Sequence, residues 1–378
     1  MGKTGILGGM FDPVHRGHIA AARSALAYGL DRVLLLPCRV PPHRDAPRTE
    51  ESHRLAMCRL ALQGEENMEI SSVDLRSGPC YAADTLKLLQ KMYPQDEFYW
   101  ILGADKLEKL SQWRDAAYLF ENCRFLICPR PGYDENLTVP GAKTQVLSAA
   151  PRDISSSGIV ECLRRCEDAE AFLHRDVARY VAEKGLYQRN FVPELLKRGM
   201  DEKRLAHTLG VRQEAVRLAY LHGGRMQAAA VAAMLHDIAK PLPLEEMQAL
   251  ANRYALALPR DMMEDGNLLH GPVAAAIARY ELGVEDEEIL SAIACHTTGK
   301  CGMTVLEMAV FLADAIEPGR RDYPGLEEMR KLSSVDLPGA VLLSMQRTQE
   351  YVLSRGMHFC TRTQEAMQDI VFRRKNHE

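Results

Sequence analysis

The first half of the chain alternates short apolar runs with stretches of helical periodicity. The apolar runs fall at residues 4–7, 32–38, 69–73, 98–102 and 124–128. Helices are predicted between them, over residues 17–28, 52–62, 82–92 and 107–119. Short, continuously apolar strands separated by helices are typical of a parallel sheet that is covered on both faces. Because the crossovers of such a sheet are right-handed, we expect a doubly wound α/β fold.

The second half of the chain shows no convincing strand after residue 187. Its amphipathic periodicity, punctuated by Gly, Pro and Asn, predicts one helix after another. The predicted helices cover residues 192–209, 212–222, 226–239, 243–256, 271–280, 286–295, 305–316, 323–331 and 338–354. The change of pattern near residues 189–193 predicts two domains, an α/β domain over 1–189 and an all-α domain over 190–378.

Composition narrows the class of protein. The 378 residues carry a formal net charge of −4, which argues against a dedicated nucleic-acid binder. No apolar run approaches the roughly 18 residues that a membrane span needs, and the first residues do not resemble a signal peptide. The ten cysteines include no CxxC pair, a spacing that indicates a reducing compartment. We therefore predict a cytoplasmic enzyme that binds neither nucleic acid nor membranes.

A dense motif follows the first predicted strand. Residues 8–18 read GGMFDPVHRGH, with a pair of glycines that lets the backbone approach a phosphate closely. His15 and His18 are three residues apart at the start of a helix, so both imidazoles lie on one face. Two donors beside a helix N-terminus suit a triphosphate. A glycine turn followed by two surface histidines is the plainer interpretation, but eight defined positions rarely coincide.

This motif resembles that of the HxGH nucleotidyltransferases, and of the nicotinate-nucleotide adenylyltransferases in particular. Further segments match that family in order across half of the chain. They are PPHR at 41–44, YAADTL at 81–86, GAD at 103–105 with Trp113, RPG at 130–132, ISSSGI at 154–159 and RYVAEKGLY at 179–187. The resemblance implies a Rossmann-like nucleotidyltransferase domain. It also implies in-line attack by a mononucleotide phosphate on the α-phosphate of ATP, with pyrophosphate leaving with Mg²⁺.

The same resemblance implies site residues. His15 and His18 would be catalytic, holding the triphosphate and its developing charge. The other expected ATP-binding residues are Gly8, Gly9, Phe11, Gly103, Asp105, Ile154, Ser155 and Ser156. The expected residues for the nicotinate mononucleotide are Arg44, Tyr81, Thr85 and Trp113.

Three positions depart from the family pattern. Val160 stands where the motif closes with Arg, which removes a fixed cation near the phosphates, and Cys80 and Ala82 replace Ser and Thr. Arg164, one turn after Val160, could reach the same place, or ATP binding could be weaker. The changes could also mean an altered mononucleotide preference.

A second constellation lies in the helical half. His236 and Asp237 stand side by side in an Ala-rich helix, where unpaired charge is expensive. His207, His270, His296 and Asp314 lie on other predicted helices or at their ends. Four imidazoles and two carboxylates could hold one or two divalent metals, with Fe, Mn or Zn suiting these donors. Each histidine taken alone could equally be a surface or satisfied core residue.

The order H…HD…H…H…D resembles that of the HD-domain metal-dependent phosphohydrolases. The flanking segments resemble the bacterial HD-type symmetrical diadenosine-tetraphosphate hydrolases; they are RLAHTLGV at 204–211, LHGP at 269–272, AIACHTTG at 292–299 and FLADAIEPGR at 311–320. The resemblance implies that all six residues are metal ligands, that Asp237 bridges, that Fe is favoured over Mn or Zn, and that the metal activates water against a phosphoanhydride. Lys240, one turn after Asp237, is expected to act in catalysis by neutralising phosphate charge.

The two resemblances together predict a bifunctional enzyme. One domain would convert ATP and nicotinate mononucleotide to deamido-NAD and pyrophosphate, and the other would cleave diadenosine tetraphosphate to two ADP. Two alternatives stay open: a weakened, nucleotide-sensing first domain, or an HD domain that acts on other nucleotides. The sequence leaves a homodimer open as well.

Overall fold

The chain folds into two compact units in a computed structural model that describes residues 2–39, 47–76, 78–148 and 153–377. The first unit comprises Met1–Glu161 and Ala171–Val177, and the second comprises Cys162–Glu170 and Ala178–Glu378. The predicted domain boundary at residues 189 and 190 stays a prediction. The segment PPHR, with Arg44, lies outside the described residues.

A six-stranded parallel sheet forms the centre of the first unit. In chain order its strands are β1 Lys3–Gly9, β2 Arg32–Pro37, β3 Met68–Ile70, β4 Glu97–Gly103, β5 Arg124–Cys128 and β6 Thr144–Val146. Their spatial order is β3-β2-β1-β4-β5-β6, and every neighbouring pair is parallel. The doubly wound α/β prediction is therefore confirmed. The short strand β6 escaped prediction because its sequence, TQV, is mostly exposed and carries no apolar run.

Helices cover this sheet and continue past it. They are α1 Arg16–Tyr28, α2 Glu51–Ala61, α3 Ala82–Met92, α4 Ala116–Asn122, α5 Ser156–Arg164 and α6 Arg175–Lys184. The prediction of one helix over residues 107–119 is wrong, because a 3₁₀-helix over Ala104–Gln112 precedes α4. The break between them has a local cause. Trp113 is extended, and Asp115 adopts the left-handed conformation at φ 57°.

The strand order places β1 beside β4 although they are far apart in the chain. Chain connections run away from this pair in both directions, and ligands of open α/β sheets bind at the carboxyl ends of strands at such a switch point. The glycine pair Gly8 and Gly9 ends β1, and Gly103 ends β4. The fold thus brings the two sequence motifs to one edge of the sheet.

Among the residues described after α6, the second unit contains helices and no strand. Its helices are α7 Val192–Lys197, α8 Glu202–His222, α9 Met226–Leu235, α10 Leu244–Arg253, α11 Arg260–Glu264, α12 Gly266–Tyr280, α13 Glu287–Cys295, α14 Val305–Ile316, α15 Leu326–Ser333, α16 Leu337–Ser354 and α17 Thr361–His377. The expected all-α second half is confirmed. Across the described part of the chain, no helix combines the length and apolar character that crossing a membrane requires.

Several details of the helical prediction are wrong. The break expected between residues 209 and 212 lies instead between α7 and α8, where Gly199 turns at φ +86° and the Asp201 carboxylate accepts the Arg204 backbone N–H at 2.7 Å. Gly210 lies inside α8, and a Cβ there would come within 2.5 Å of the Glu317 carboxylate. The glycine therefore permits a close approach and does not end a helix. Helices α11 and α17 were not predicted, and α12 begins at Gly266 instead of residue 271.

Candidate functional sites

The first candidate site is the turn from β1 into α1. The imidazole rings of His15 and His18 stack with centroids 3.7 Å apart. A Cβ at Gly17 would lie 2.9 Å from His15 Nδ1, so a side chain at this position would displace the His15 ring. The glycine of the HxGH motif is thus a packing requirement of the paired histidines.

Backbone hydrogen bonding fixes the tautomer of one of these rings. The His15 backbone N–H donates to His18 Nδ1 at 3.2 Å, so Nδ1 carries no proton and a neutral His18 ring carries its proton on Nε2. Burial, followed by the charge of Arg130, lowers the pKa of His15 to about 4. Burial, then His15 and Arg130, also lowers the pKa of His18. Near neutral pH both rings are therefore neutral hydrogen-bonding groups.

Arg130 supplies the cation of this site. It follows β5, and its Nε lies 3.5 Å from Asp105 Oδ1 while its Nη2 donates to the Ile154 carbonyl at 3.4 Å. With His15 and His18 it lines a cavity of about 110 Å³. Sequence reasoning noted the RPG segment without giving Arg130 a role. The signal was its place after β5, which ends at the same sheet edge as β4.

Arg164 does not take the place of the arginine that Val160 replaces in the family motif. Val160 is buried on the inner face of α5, and Arg164 is exposed in its last turn. The serines before them are tied into the protein. Ser156 Oγ donates to the Pro13 carbonyl at 2.9 Å, and Ser155 Oγ accepts the Gly158 N–H at 3.1 Å. Ser155 keeps a hydroxyl proton for a ligand, whereas Ser156 holds α5 against the motif loop.

Three further ATP-site candidates lie around the histidines. Phe11 is buried, takes a left-handed backbone conformation at φ 49°, and places its ring edge-on to His18 at 4.9 Å. Asp105 pairs with Lys106 as well as with Arg130. A Cβ at Gly103 would meet the Asp105 carboxylate, so this glycine lets the carboxylate fold back over the end of β4.

The residues expected to hold the mononucleotide differ in how much of their surface is accessible to a ligand. Thr85 is fully buried, and its hydroxyl donates to Asp74 Oδ1 at 2.5 Å, a contact that serves the fold. Tyr81 is partly exposed, with the Arg114 guanidinium 4.5 Å from its ring centroid. Trp113 packs edge-on against Trp100 at 6.1 Å and is partly buried. Tyr81 and Trp113 thus keep surface for a ligand, whereas Thr85 does not.

The second candidate site is a cluster of four histidines in which backbone or carboxylate contacts hold every Nδ1 atom. Three of these contacts are to carbonyls one turn earlier. They are His236 to Ala233 at 2.6 Å, His270 to Gly266 at 3.2 Å and His296 to Ile293 at 2.7 Å. His207 Nδ1 lies 3.1 Å from Glu317 Oε1. In a neutral ring, a proton held on Nδ1 leaves Nε2 unprotonated, which is the state in which an imidazole binds a metal. His207 differs because, although burial opposes protonation, its contacts with Asp314 and Glu317 raise its pKa.

The Nε2 atoms converge on two carboxylates. Two triads have ligand atoms within 4.8 Å of one another, and they share His236; they are His207–His236–Asp314 and His236–Asp237–His296. The remaining histidine also points inward. His270 Nε2 lies 3.2 Å from Asp237 Oδ1 and 3.0 Å from His296 Nε2. Buried His236 Nε2 has no hydrogen-bond partner among the described residues. The structure thus brings all six predicted ligands together.

Two arginines pair with the two carboxylates of this cluster. Arg204 Nη1 lies 2.7 Å from Asp237 Oδ2, and Arg320 Nη2 lies 2.7 Å from Asp314 Oδ1. Although burial opposes ionisation, the neighbouring histidines hold the pKa of Asp237 well below its usual range. Sequence reasoning missed both arginines. They lie in the recognised segments RLAH and IEPGR, but their spacing alone gives no ligand pattern.

Lys240 stands at the edge of the cluster. Its Nζ lies 3.3 Å from Asn267 Oδ1 and 3.4 Å from His270 Nδ1, and burial lowers its pKa. Thr297, which sequence reasoning did not place, has its hydroxyl 3.2 Å from His296 Nε2. Both residues line the cavity into which the cluster opens.

Gly271 allows the helices that carry two of the histidines to approach each other. A Cβ at this position would lie 2.9 Å from the Ala294 carbonyl and 3.4 Å from His296 Nδ1. The nearest atom belongs to the backbone of α13, so a side chain could be accommodated only by moving a helix. The LHGP segment therefore contains a predicted metal ligand, His270, and the glycine that leaves room for α13 beside it.

The comparisons with known proteins divide the chain in the same way. The cytidylyltransferase-like family model matches residues 6–162, and the HD domain model matches residues 204–319. These matches define a nucleotidyltransferase-type α/β domain followed by an HD hydrolase domain.

Relatives of both kinds are similar to the chain. A Mycoplasma pneumoniae protein named probable nicotinate-nucleotide adenylyltransferase/Ap4A hydrolase is 30% identical over 83% of this chain and 88% of its own. A Gloeobacter violaceus probable nicotinate-nucleotide adenylyltransferase is 43% identical over 49% of this chain and 96% of its own. A symmetrical bis(5'-nucleosyl)-tetraphosphatase of Halalkalibacterium halodurans is 41% identical over 43% of this chain and 86% of its own. The chain belongs to the family of fused nicotinate-nucleotide adenylyltransferase/Ap4A hydrolases.

The lowered pKa values predict the titration of the paired histidines. In ligand-free protein, the ring-proton NMR signal of His15 should titrate near pH 4, and that of His18 below 6.5. The signals are assigned from His15→Gln and His18→Gln spectra. Between pH 6.5 and 4 these histidines take up protons in the unfolded chain before they do so in the folded one, so the free energy of unfolding should fall as the pH drops through this window. Midpoints near 6.5 would contradict the buried, neutral pair.

Arg130 and Arg164 can be compared directly as the cation that serves ATP. Arg130→Gln should raise the Kd for ATP roughly tenfold, because a charge-assisted hydrogen bond is lost. Arg164→Gln, in the exposed last turn of α5, should change it less than about twofold. Isothermal titration calorimetry measures both, with circular dichroism as the check on folding. The reverse ranking would assign the missing cation to Arg164.

Gly271→Ala should destabilise the second unit by about 1–3 kcal/mol and weaken metal binding, because the new methyl group collides with the Ala294 carbonyl. Gly266→Ala, at the first position of the same helix, is the control, since its Cβ would meet only side-chain ends, the flexible Met247 Cε at 3.2 Å and Leu244 Cδ1 at 3.9 Å. Chemical unfolding and metal titration are the measurements. Equal behaviour of the two variants would show that the approach of α12 to α13 does not depend on Gly271.

Proposed function

We propose that the chain is a bifunctional enzyme. Residues 1–189 would transfer the adenylyl group of ATP to nicotinate mononucleotide, giving deamido-NAD and pyrophosphate. Residues 190–378 would hydrolyse diadenosine tetraphosphate symmetrically to two ADP. The observation that carries this proposal is the presence of both sites: paired neutral histidines beside Arg130 at the sheet edge, and six convergent metal-type ligands among the helices.

The adenylyl site acts by position and charge. A phosphate oxygen of the mononucleotide attacks the α-phosphorus of ATP, the bond from that phosphorus to the β-phosphate oxygen breaks, and pyrophosphate leaves. His18 Nε2–H and the His15 ring would donate to the triphosphate, and Arg130 would carry positive charge beside them. Mg²⁺ bound with ATP would neutralise further charge. In this scheme no side chain forms a covalent bond to the adenylyl group.

The alternative of a nucleotide-sensing first domain rests on the loss of Arg at position 160. Arg130 weakens that alternative, because it places a guanidinium on the cavity that the two histidines line. Its contact to the Ile154 carbonyl also joins it to the segment that opens α5, where the family's arginine would stand. We therefore favour a catalytic first domain.

The HD site is built to hold one or two divalent cations. The residues that would bind them are His207, His236, Asp237, His270, His296 and Asp314. The buried, unpartnered Nε2 of His236 supports this fit, because such an atom is costly unless a ligand satisfies it. Imidazole and carboxylate donors suit Fe, which we favour, and also Mn or Zn. These cations would supply charge neutralisation and activation of water.

The charged residues around the cluster would hold the polyphosphate. Arg204 and Arg320 each lie against a carboxylate and line the same cavity, and Lys240 stands beside Asn267 at its edge. The cavity has a volume of about 1590 Å³, beyond the range of roughly 300–1000 Å³ that is usual for small-ligand pockets. This volume favours a dinucleoside polyphosphate over a nucleoside monophosphate as the substrate of the second site.

A cytoplasmic location belongs to the same proposal. All ten cysteines are free. Free thiols are what a reducing compartment maintains, and both proposed reactions use cytoplasmic nucleotides.

Crossed single substitutions test the proposal. His18→Ala should lower kcat for adenylyl transfer about 10²- to 10³-fold, because one donor to the charged transition state is lost. Asp237→Ala should remove metal and lower hydrolysis of diadenosine tetraphosphate more than about a hundredfold, because a carboxylate common to several histidine contacts is lost.

Each variant serves as the control for the other. Pyrophosphate release from ATP with nicotinate mononucleotide reports the first activity, and ADP formation with metal content by mass spectrometry reports the second. His18→Ala should leave hydrolysis intact, and Asp237→Ala should leave adenylyl transfer intact. Full metal occupancy with normal turnover in Asp237→Ala would refute the HD site. Near-normal kcat in His18→Ala would refute the phosphate role of that histidine.

A further inference from the structure

The large cavity of the second unit extends beyond the histidine cluster. Helix α16 supplies part of its wall through Arg347, Thr348 and Tyr351, none of which the cluster uses. The cluster and its arginines account for the binding of phosphate. They do not account for the rest of the lining, which combines aromatic, cationic and hydroxyl groups.

A continuous series of contacts joins the cluster to this wall. Arg320 pairs with Asp314 at 2.7 Å, and three residues later the Tyr323 hydroxyl donates to the Ala315 carbonyl at 2.8 Å. Gly325 follows, with its Cβ position 3.3 Å from Arg347 Nε on α16. The cavity wall therefore runs from the metal-type ligands, past Arg320 and Tyr323, to α16.

One face of α16 is directed at the cavity. Ser344, Arg347, Thr348, Tyr351 and Ser354 line it at the offsets of a single helical face, and Glu350 lines it from beside that face, where it pairs with Arg347. Tyr351 is 58% exposed, and the Arg355 guanidinium lies 5.4 Å from the centroid of its ring. Arg347 pairs with Glu350 at 3.1 Å and with Glu328 at 3.9 Å, contacts between exposed groups that a phosphate can replace at little cost.

We propose that Tyr323, Arg347, Thr348 and Tyr351, here called the α16 arm, bind one nucleoside half of a dinucleoside polyphosphate. Tyr351 stacks on the base, and Arg347 pairs with the phosphate next to that nucleoside. This inference rests on the proposed hydrolase function and adds the residues that distinguish a dinucleoside substrate from a bare polyphosphate. An exposed aromatic ring beside arginines is the combination on which nucleobases stack, whatever the base.

The cluster lies between two differently built parts of the cavity. Lys240 and Asn267 adjoin His270 at one end, and Arg320 adjoins Asp314 at the other. A tetraphosphate cleaved at its centre needs room for a nucleoside diphosphate on both sides of the reacting bond. The α16 arm gives that room on the Asp314 side.

Tyr351→Ala is the test, with Tyr351→Phe as the conservative variant and Leu353→Ala as the matched control. Leu353 is 57% exposed on the same helix. Because it is two residues from Tyr351, it lies on another face of α16. Calorimetry on the metal-loaded protein measures the Kd of two ligands. One is a diadenosine tetraphosphate analogue with methylene in place of the central bridging oxygen, and the other is inorganic tripolyphosphate.

Tyr351→Ala should raise the Kd of the dinucleoside analogue about tenfold and leave that of tripolyphosphate within twofold. Tyr351→Phe and Leu353→Ala should behave as the unsubstituted protein. Arg347→Gln should weaken both ligands, because it removes a phosphate contact. In turnover of diadenosine tetraphosphate, Tyr351→Ala should raise KM and keep kcat.

Two results would overturn the inference: an unchanged Kd for the dinucleoside analogue in Tyr351→Ala, or an equal loss for both ligands. Failure of the proposed function has a different signature. In that case the unsubstituted protein loaded with Fe, Mn or Zn would not hydrolyse diadenosine tetraphosphate, whatever Tyr351 does.

Discussion

Both sites depend on hydrogen bonds at histidine Nδ1 atoms, that of His18 in the first site and those of the four clustered histidines in the second, because such a bond decides what Nε2 offers to a ligand. His18 lies in the first turn of a helix, where free N–H groups are available, and its Nδ1 accepts one from His15. Its Nε2 is therefore a donor, suited to an anion. His236 and His296 close the ends of α9 and α13, where carbonyls are free, and their Nδ1 atoms donate to Ala233 and Ile293. Their Nε2 atoms are acceptors, suited to a cation.

The fold and the histidines could be predicted because their signals are local. Continuous apolar strands indicated the parallel sheet, and helical periodicity with the HD pair indicated the helical half. The cations were not predictable in the same way. Arg130 reaches the histidines only because β5 lies next to β4, and Arg204 meets Asp237 only through the packing of α8 against α9 and the residues that follow it. Arg320 is only six residues from Asp314, but the turn that brings them together lies beyond the end of α14. Periodicity does not encode such neighbours, and the motif position at Val160 directed attention to α5 instead.

Two glycines explain why predicted helix ends in the second half are wrong, because both lie inside a helix. Gly210 looked like a helix stop, but it lies inside α8 and admits the Glu317 carboxylate, which in turn orients His207 Nδ1 at 3.1 Å. Gly271 likewise belongs to α12 and admits the backbone of α13 beside His296. In both places the missing side chain permits a close approach, of the Glu317 carboxylate to α8 and of the α13 backbone to α12. A sequence shows the glycine but not the neighbour that needs its space, so the stop signal and the packing signal look alike.

The two sites differ in the charge that they present to a bound phosphate. The adenylyl site presents neutral imidazoles and Arg130, and the divalent cation of its proposed reaction arrives with the nucleotide. The HD site gathers carboxylates and unprotonated imidazole nitrogens, an electron-rich pocket that would repel a polyphosphate by itself. Arg204 and Arg320 offset that charge in the present structure by pairing with Asp237 and Asp314. Cations that take over these carboxylates would release two guanidiniums into the cavity, so occupation of the metal site and binding of the polyphosphate should reinforce each other.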